Sequence, residues 1–282
     1  MRDRKDGKLV RNLDGMHGLM TYVKPSRADS DVYINQKIDV TNLVKYYEKN
    51  RKKDENIKLT YFHLFCTAFA KTVYNRPLLN RFIINKRFYD RKHIKLAFVA
   101  KREFTDDSEE NMSVITVENQ DNLETLKQKI SGQVKNIRSS KMNSADKFMD
   151  TIGKLPGFLK KIVMGIIKFA DNHDLIPESL TCNSIYHASV LVSNLGSIKC
   201  GAIYHNLTDF GTNSILITIG EIKDEPVVID GKVEIRKMCE FGTNLDERIA
   251  DGYYFVKSLK VFEYILQNPE LLNDPINTEI KL

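Results

Sequence analysis

The stretch "NLDERIADGYY" at residues 244–254 holds side chains that could carry out proton transfer. Glu247 offers a carboxylate that can accept a proton, and Asp251 follows four residues later in an Asp-Gly pair. The same letters also suit a solvated turn that closes a strand and begins a helix, because Asp-Gly pairs favour turns. Read alone, the stretch favours the turn, so a catalytic interpretation depends on what surrounds it.

The four cysteines form no recognisable metal or redox motif. They are Cys66, Cys182, Cys200 and Cys239, and no two of them have the Cys-x-x-Cys spacing. Zinc knuckles and dithiol sites need such proximity, so the pattern predicts reduced thiols and no bound metal.

The chain has a formal charge of +6 and a pI near 8.9, which raises the question of a nucleic-acid partner. The densest basic runs lie at residues 49–58 and 85–95, and both mix acidic with basic residues. Neither run belongs to a helix-turn-helix or RNA-binding pattern. The runs therefore predict solvated surface. An acidic small ligand such as a nucleotide or coenzyme A is the alternative, and no nucleic acid is expected.

Length and hydropathy predict one soluble domain. Of the 282 residues, 42% are hydrophobic and 28% charged, and no apolar run approaches the roughly 20 residues that a membrane span needs. Residues 1–15 are charged and lack the apolar centre of a secretory signal, so we expect a cytoplasmic protein. No flexible linker or internal repeat divides the chain, which favours a single domain over residues 1–282.

The elements that would hold the candidate residues show both strand and helix patterns. Residues 31–41 alternate with period two and predict a strand, and Thr41 is placed to cap the helix that follows. Residues 59–77 are apolar on most sides and end at a proline, which predicts a largely buried helix. Further strands and helices mix without strict alternation. This predicts an α/β fold, a two-layer sandwich in which helices cover one face of a mixed sheet.

A separate helical pattern occupies residues 155–177, from Leu155 to Pro177. Apolar residues fall on one side of this helix and lysines gather elsewhere. Such a helix can lie on a membrane surface, or it can pack against a core or another subunit. The packed arrangement is favoured here, so membrane-surface contact through this segment is not expected.

In order along the chain, the segments resemble the catalytic domain of the dihydrolipoamide acyltransferases of 2-oxo acid dehydrogenase complexes, which shares its fold with chloramphenicol acetyltransferase. The family's early strand and first helix resemble "INQKIDVTNL", and its helix ending in a Pro-x-Leu-Asn turn resembles "LTYFHLFCTAFAKTVYNRPLLNRFI". The strands and helices that follow are similar to "IKLAFVA", "MSVITVENQDNLETLKQKI", "VSNLGSIKCGAIYH" and "NSILITIGEI". The family's Asp-His-Arg-x-x-Asp-Gly and last helix fall at "LDERIADGYYFVKSLKVFEYILQNPELL".

The resemblance implies coenzyme A-dependent acyl transfer. In the family, coenzyme A enters a channel between the subunits of a trimer. A histidine takes the proton of the attacking thiol or hydroxyl, and a serine bonds the developing oxyanion. Here Glu247 replaces that histidine, Ser193 matches the serine, and Asp251 matches an aspartate that pairs with a basic residue to hold the loop. A serine at a strand end can equally bond local backbone. The candidate partners of the aspartate are Arg11, Lys24 and Arg27.

The replacement of histidine by Glu247 weakens the general base. A free glutamate has a pKa of about 4.3 and a thiol one of about 8.5, whereas imidazole titrates near 6.5. Burial in a closed channel can raise the pKa of a carboxylate, and Arg248 could oppose that change. His205, in the loop after the Ser193 strand, is the alternative base. The histidines without a site-like context are His17, His63, His93, His173 and His187.

We expect no lipoyl or peripheral-subunit-binding domain in this chain. The family joins such domains to its catalytic domain through linkers, whereas the resemblance here begins near Asp31. The run "SADKF" at residues 144–148 contains an Asp-Lys pair, as lipoylation sites do. Its helical surroundings do not suit the hairpin turn that a lipoyl-lysine occupies, so no covalent lipoyl group is expected.

Two functions remain open at this point. The first is a stand-alone coenzyme A-dependent acyltransferase that acts as a homotrimer. It would move an acyl group between coenzyme A and an unidentified thiol, hydroxyl or amine, carried by a small molecule or a lipoyl-type thiol. The second is a non-catalytic trimeric binding or scaffold protein, a pseudoenzyme that kept the channel and lost the base.

Overall fold

The computed structural model describes residues 2–52, 54, 56–101, 110–138 and 150–282. Its strands are β1 Gly7–Leu9, β2 Asp31–Asp39, β3 Arg81–Ile84, β4 Arg87–Arg91, β5 Ile94–Lys101, β6 Glu110–Val117, β7 Val190–Asn194, β8 Ile215–Ile229 and β9 Lys232–Asp246. Within the described ranges, β2-β9-β8-β7-β5-β6 form a mixed sheet and β1-β4-β3 a smaller antiparallel one. In the larger sheet β7 runs parallel to both of its neighbours, and the other pairs are antiparallel. The "SADKF" run lies outside the described residues.

One face of the larger sheet is covered by helices. The helices are α1 Gly15–Val23, α2 Thr41–Asn50, α3 Tyr61–Asn75, α4 Leu123–Arg138, α5 Gly157–Asn172, α6 Glu178–Thr181 and α7 Gly252–Gln267. Side chains from α2, α3, α4 and α7 join the inward residues of the strands in one apolar core. Within it Phe69 of α3 stacks on Phe262 of α7 at 4.7 Å between ring centres. The predicted two-layer α/β architecture with a mixed sheet is confirmed.

The helix predicted at residues 59–77 is α3, which runs through the centre of the core. Thr60 caps it by accepting a hydrogen bond from the backbone of His63, and the His63 ring accepts one from the Thr60 backbone. The residues from His63 to Val73 are buried. Pro77 begins a separate 3-10 turn after the helix, as expected for a residue that cannot continue a helical ladder.

The prediction that Thr41 caps α2 is wrong. The capping position is Val40, which provides no side-chain hydrogen bond. The Thr41 hydroxyl instead accepts a hydrogen bond from the backbone of Lys237, 3.0 Å away on β9. A contact far along the chain has taken the place of a local one.

The reverse face of the sheet carries a long loop, residues 199–213, that leads from β7 to β8. This loop lies so close to the strands that a Cβ atom on Gly242 would be 2.5 Å from the carbonyl oxygen of Ile203. A Cβ atom on Gly220 would be 2.8 Å from the backbone nitrogen of Ala202. Glycine is therefore needed at both strand positions, because only a residue without a side chain permits this approach.

Polar side chains of the sheet hold the same loop along its length. The Thr218 hydroxyl accepts a hydrogen bond from the backbone of Ile203 at 3.1 Å. Asn244 accepts one from the backbone of His205 at 3.2 Å. Asp31 accepts one from the backbone of Leu207, also at 3.2 Å. The loop is thus fixed across three strands, and His205 with it.

The helix predicted at residues 155–177 forms as α5, but its apolar side is not packed on this chain. Phe158, Ile162, Ile166 and Phe169 are between 56% and 68% exposed. The expectation that this face packs on the core is therefore wrong for the single chain; packing against another subunit stays a prediction. Among the described residues, no helix combines the length and apolar character needed to cross a membrane.

Candidate active site

The turn that carries Glu247 is built on a buried ion pair. Strand β9 ends at Asp246, and a 3-10 turn follows at Glu247–Ile249. The Asp246 carboxylate accepts hydrogen bonds from Arg248 Nε at 2.8 Å and Nη2 at 2.7 Å, and both side chains are almost fully buried. The two parallel bonds form the bidentate geometry in which a guanidinium holds a carboxylate most firmly. The Asp-x-Arg part of the stretch therefore fixes the backbone around Glu247.

Arg248 also brings the N-terminal region to this turn. Its Nη1 atom donates a hydrogen bond to the backbone carbonyl of Lys24 at 2.8 Å. The Lys24 ammonium in turn forms an ion pair with the Glu247 carboxylate, and about a third of each side chain remains exposed. Glu247 is thus neither solvated alone nor enclosed in a closed channel within the single chain.

The partners considered for Asp251 are engaged elsewhere in the described parts of the chain. Lys24 pairs with Glu247, and Arg11 pairs with Asp3 at 3.2 Å. The Arg27 side chain donates to the backbone carbonyls of Thr208, Ile83 and Gly211. The Asp251 carboxylate accepts a hydrogen bond from the backbone of Tyr254 at 2.7 Å and so caps α7. Asp251 therefore holds the loop by capping the helix.

Ser193 lies near the end of β7, opposite Thr218 of β8. It lines an open cavity of about 850 Å³ whose walls are largely aromatic and aliphatic, including Tyr61, Phe62 and Phe98. Within the described ranges the Ser193 hydroxyl forms no hydrogen bond, so it does not show the local backbone bond that a strand-end serine could make. The hydroxyl is therefore available to a ligand in the cavity.

The glycine of the Ser-Asn-Leu-Gly run is required by the turn that follows Ser193. Residues Leu195–Ile198 form a 3-10 turn against β8. A Cβ atom on Gly196 would lie 2.5 Å from the carbonyl oxygen of Gly220. The close approach keeps the end of β7 pressed on β8 and fixes one wall of the cavity.

His205 lines the same cavity as Ser193. It sits on the exposed loop over the reverse face of the sheet, where its backbone is bonded to Asn244. Ser193 and the histidine that the sequence suggested as an alternative base therefore line one cavity.

Ser193 and Glu247, by contrast, are far apart within one chain. Ser193 pairs with Thr218, Thr218 pairs with Gly242, and Glu247 follows five residues after Gly242. At about 3.4 Å per residue along a strand and about 4.8 Å between strands, their separation is on the order of 15–20 Å. Glu247 is not among the residues that line the Ser193 cavity. One copy of the chain cannot apply both side chains to the same reacting group.

A model of the 2-oxoacid dehydrogenase acyltransferase catalytic domain matches residues 24–151 and 175–273. The chain belongs to this family. The matched segments contain Lys24, Ser193 and the whole stretch at 244–254. The acyltransferase match omits residues 152–174, which include the whole of α5.

Two curated acyltransferases illustrate the relationship. The lipoamide acyltransferase component of the branched-chain alpha-keto acid dehydrogenase complex of Bacillus subtilis is 23% identical over 235 residues, which are 82% of this chain and 45% of that protein. The dihydrolipoyllysine-residue succinyltransferase component of the 2-oxoglutarate dehydrogenase complex of Rickettsia conorii is 34% identical over 80 residues, which are 27% of this chain and 20% of that protein. The chain thus spans less than half the length of these relatives.

Solved structures of acyltransferases share the fold. A probable dihydrolipoamide acetyltransferase of Listeria monocytogenes has a TM-score of 0.63 and 17% identity, over 93% of this chain and 95% of that one. The dihydrolipoamide acetyltransferase of Azotobacter vinelandii has a TM-score of 0.63 and 16% identity, over 93% and 98%. Chloramphenicol acetyltransferase has a TM-score of 0.53 and 10% identity, over 93% and 98%. The predicted chloramphenicol acetyltransferase-like fold is confirmed.

One histidine that the sequence did not suggest as a site residue shares a cavity with the 244–254 stretch. His17 lines a second cavity, of about 530 Å³, together with Asp251. Its Nδ1 atom lies 2.6 Å from a carboxylate oxygen of Asp14, the residue that caps α1. The only sequence signal was the three-residue spacing of the aspartate and the histidine, which is common at helix starts.

Two further histidines and two of the cysteines of this family member are buried. Burial lowers the pKa of His63 to about 4, so the ring is neutral near pH 7. His187 is buried and lies 3.0 Å from Asp171. Burial raises the pKa of the Cys66 thiol and raises that of Cys239 to about 12. Among the described residues, no cluster of three or more His, Cys, Asp or Glu side chains could hold a metal ion.

Proposed function

We propose that this family member transfers acyl groups between coenzyme A and a thiol, hydroxyl or amine acceptor. The observation that carries the proposal is the free Ser193 hydroxyl at the wall of a large apolar cavity. An apolar cavity with a few polar groups is the usual form of a small-molecule site. Its volume of about 850 Å³ suits an extended acyl or pantetheine chain.

The assignment of Ser193 and Glu247 is supported by an acyltransferase of known structure. The Azotobacter vinelandii enzyme was examined for the roles of a serine, a histidine and an asparagine in its catalytic mechanism. The serine precedes the histidine by 52 residues there, and the asparagine follows it by four. Here Ser193 precedes Glu247 by 54 residues, and Asp251 follows it by four. The proposed site therefore has the same order of positions, with glutamate in place of the histidine and aspartate in place of the asparagine.

We further propose a homotrimer, because the site needs groups from two copies. Ser193 of one copy would meet the Glu247 turn of its neighbour, since the two are separated within a chain. Helix α1 contacts that turn and exposes Met16, Leu19 and Val23 by 61–71%. An exposed apolar row next to the turn is typical of a surface that another subunit covers.

The chemistry assigns each group one task. The acceptor loses a proton to a base and attacks the thioester carbonyl of acyl-coenzyme A. The oxyanion that forms accepts a hydrogen bond from the Ser193 hydroxyl. The intermediate then expels the coenzyme A thiolate, which regains the proton from the base. Glu247 is the first candidate for the base, with its carboxylate charged beside Lys24. An amine acceptor demands least of this base, because it can attack as the free amine.

His205 is a second candidate for the base. Of Glu247 and His205, only His205 lines the Ser193 cavity within one chain. An imidazole there would restore the proton acceptor that the family places in the 244–254 stretch.

The alternative function is a non-catalytic trimeric scaffold that binds coenzyme A or an acyl chain. The Lys24–Glu247 ion pair favours it, because a carboxylate committed to a lysine is a poor proton acceptor. A scaffold protein of this kind would retain the cavity and the trimer but would not catalyse acyl transfer.

Acyl transfer from acetyl-coenzyme A to dihydrolipoamide and to a panel of small amines tests the proposal. We expect the wild-type protein to be active, Glu247→Gln to be much slower, and Glu247→His to be faster towards dihydrolipoamide. His205→Asn tests the second candidate. Glu279→Gln and His93→Asn are matched controls, because both residues are exposed and outside the cavity.

The outcomes separate the functions. A rate that falls with His205→Asn and not with Glu247→Gln would move the base to His205. Inactive wild-type protein that gains turnover as Glu247→His would support the scaffold. An inactive wild type, an inactive Glu247→His variant and no coenzyme A binding by calorimetry would overturn the assignment of the cavity.

A further inference from the structure

Helix α5 presents a continuous apolar stripe to solvent. At 100° per residue, Phe158, Ile162, Ile166 and Phe169 fall within a sector of roughly 80°. These four side chains, together with Leu175 beyond the helix end, are between 56% and 68% exposed. The neighbouring side chains on the inner side of the helix are only partly exposed. The stripe therefore points away from the molecule that carries it.

The stripe is held in place by the structure. At the C-terminal end of α5, Asp171 is buried and accepts a hydrogen bond from Arg4 through its backbone carbonyl at 2.6 Å. Its carboxylate lies 3.3 Å from Arg4 and 3.0 Å from His187. Buried, charge-assisted contacts of this kind orient an element firmly. The exposure of the stripe is thus set by a fixed attachment to the segment before β1 and to the turn before β7.

The charged side chains on the helix beside the stripe have one sign. Residues 157–170 contain three lysines and no acidic residue. Lys161 and Lys168 are exposed and seven residues apart, so they lie on the same side of the helix at one edge of the stripe. Lys154, just before the helix, is paired with Asp150 at 2.6 Å, so the positive charge at this edge comes from the two helix lysines. Long lysine side chains can lie along an apolar surface and extend their charge towards anionic groups.

The match to the acyltransferase family does not include this helix. Residues 152–174 lie between the two matched segments of the family model. Packing of the stripe on the same stripe of a second copy would bring Lys161 and Lys168 near their equivalents. Like charges at such a contact disfavour it.

We propose that α5 docks on an anionic lipid surface. The apolar stripe would enter the boundary between headgroups and acyl chains, and Lys161 and Lys168 would contact the anionic headgroups. A helix with bulky apolar residues on one side and lysines at its edge has the composition of an interfacial anchor. Because the apolar stripe and the lysines lie side by side, an anionic membrane fits this surface better than a neutral apolar partner does.

Flotation of the full chain with large unilamellar vesicles tests this docking. We expect binding to vesicles of phosphatidylcholine with phosphatidylglycerol and little binding to phosphatidylcholine alone. The double variant Lys161→Glu/Lys168→Glu should bind about tenfold more weakly or worse, and added salt should weaken wild-type binding. The double variant Ile162→Gln/Ile166→Gln should lose binding at any salt concentration.

Matched controls separate the stripe from the rest of the surface. Lys45→Glu/Lys49→Glu changes the net charge by the same amount on α2, and Val228→Gln/Val233→Gln removes apolar residues exposed at the tip of the β8–β9 hairpin. Both controls should bind as the wild type does. Circular dichroism should show the same helix content in all variants.

Two results would overturn the docking. The first is a wild-type protein that does not float with anionic vesicles, or α5 variants that float with them as well as the wild type does. The second is a change of oligomeric state in the α5 variants, measured by light scattering, which would assign the stripe to a contact between copies. Acyl transfer can fail while vesicle binding succeeds, so these results are independent of the proposed activity.

Discussion

The ammonium group of Lys24 forms an ion pair with the carboxylate of Glu247. The residue proposed as the candidate base is therefore bound to a cation from the N-terminal region. That lysine is placed by Arg248, which donates to the Lys24 backbone. The turn thus contains two ion pairs. The pair between Lys24 and Glu247 is partly exposed, and the pair between Asp246 and Arg248 is buried.

The two ion pairs should differ sharply in their effect on stability. Lys24→Met should lower the free energy of unfolding by no more than about 1 kcal/mol, because exposed pairs contribute little. Arg248→Met should cost about 3–5 kcal/mol, because it leaves the buried Asp246 carboxylate unpaired. Urea denaturation monitored by circular dichroism measures both. Equal losses would mean that the buried pair does not support the turn.

Ser193→Ala should lower kcat by about 10²–10³ and leave the stability of the fold unchanged, because an oxyanion donor acts only in the transition state. Ser197→Ala is the matched control, since the Ser197 hydroxyl donates to the backbone of Asn194 at 2.8 Å in the following turn. Steady-state kinetics with acetyl-coenzyme A gives kcat for each variant relative to the wild type. An equal decrease in both variants would point to a distorted turn and away from an oxyanion contact.

Asp31 should make stability depend on pH. Burial, together with repulsion from Asp246 and Asp209, raises the pKa of Asp31 from 3.8 to about 6, against the opposing hydrogen bond from Leu207. The folded state therefore holds the proton more tightly than the unfolded state. The stabilising contribution is complete below pH 3.8 and is lost as the pH rises through about 6.

Comparison of wild type with Asp31→Asn isolates this contribution. From pH 4 to pH 7 the wild type should lose stability relative to the variant, because asparagine keeps an acceptor for Leu207 without the charge. Urea midpoints at a series of pH values give the difference. The control is Asp150→Asn, whose residue is exposed and paired with Lys154. Parallel curves for wild type and Asp31→Asn would contradict the raised pKa.

Gly242→Ala should displace the loop that holds His205. The new methyl group would meet the Ile203 carbonyl oxygen at 2.5 Å and the Thr218 hydroxyl at 2.8 Å. Overpacking of this kind costs about 1–3 kcal/mol. Thermal unfolding and hydrogen exchange of residues 199–213 measure the effect. Gly231→Ala is an unsuitable control because Gly231 has a positive φ, so Gly165→Ala, with open space around it, serves instead.

The sequence alone determined the local elements and the family. The α3 helix, the mixed sheet and the position of the 244–254 stretch follow from hydrophobic periodicity, turn residues and ordered motifs. These signals are local, because a helix or strand is formed by residues close in sequence. The prediction that Glu247 stands in place of a histidine also came from the sequence, since it depends on a motif of fixed spacing.

Only the tertiary structure decided which groups meet. The Lys24–Glu247 pair, the shared cavity of Ser193 and His205, and the distance between Ser193 and Glu247 join residues that are far apart in sequence. The exposure of the α5 stripe is likewise invisible to periodicity, because an amphipathic pattern is the same whether a core, another subunit or a membrane covers it. Contacts across the sheet depend on register and on loops such as 199–213, and no local pattern encodes them.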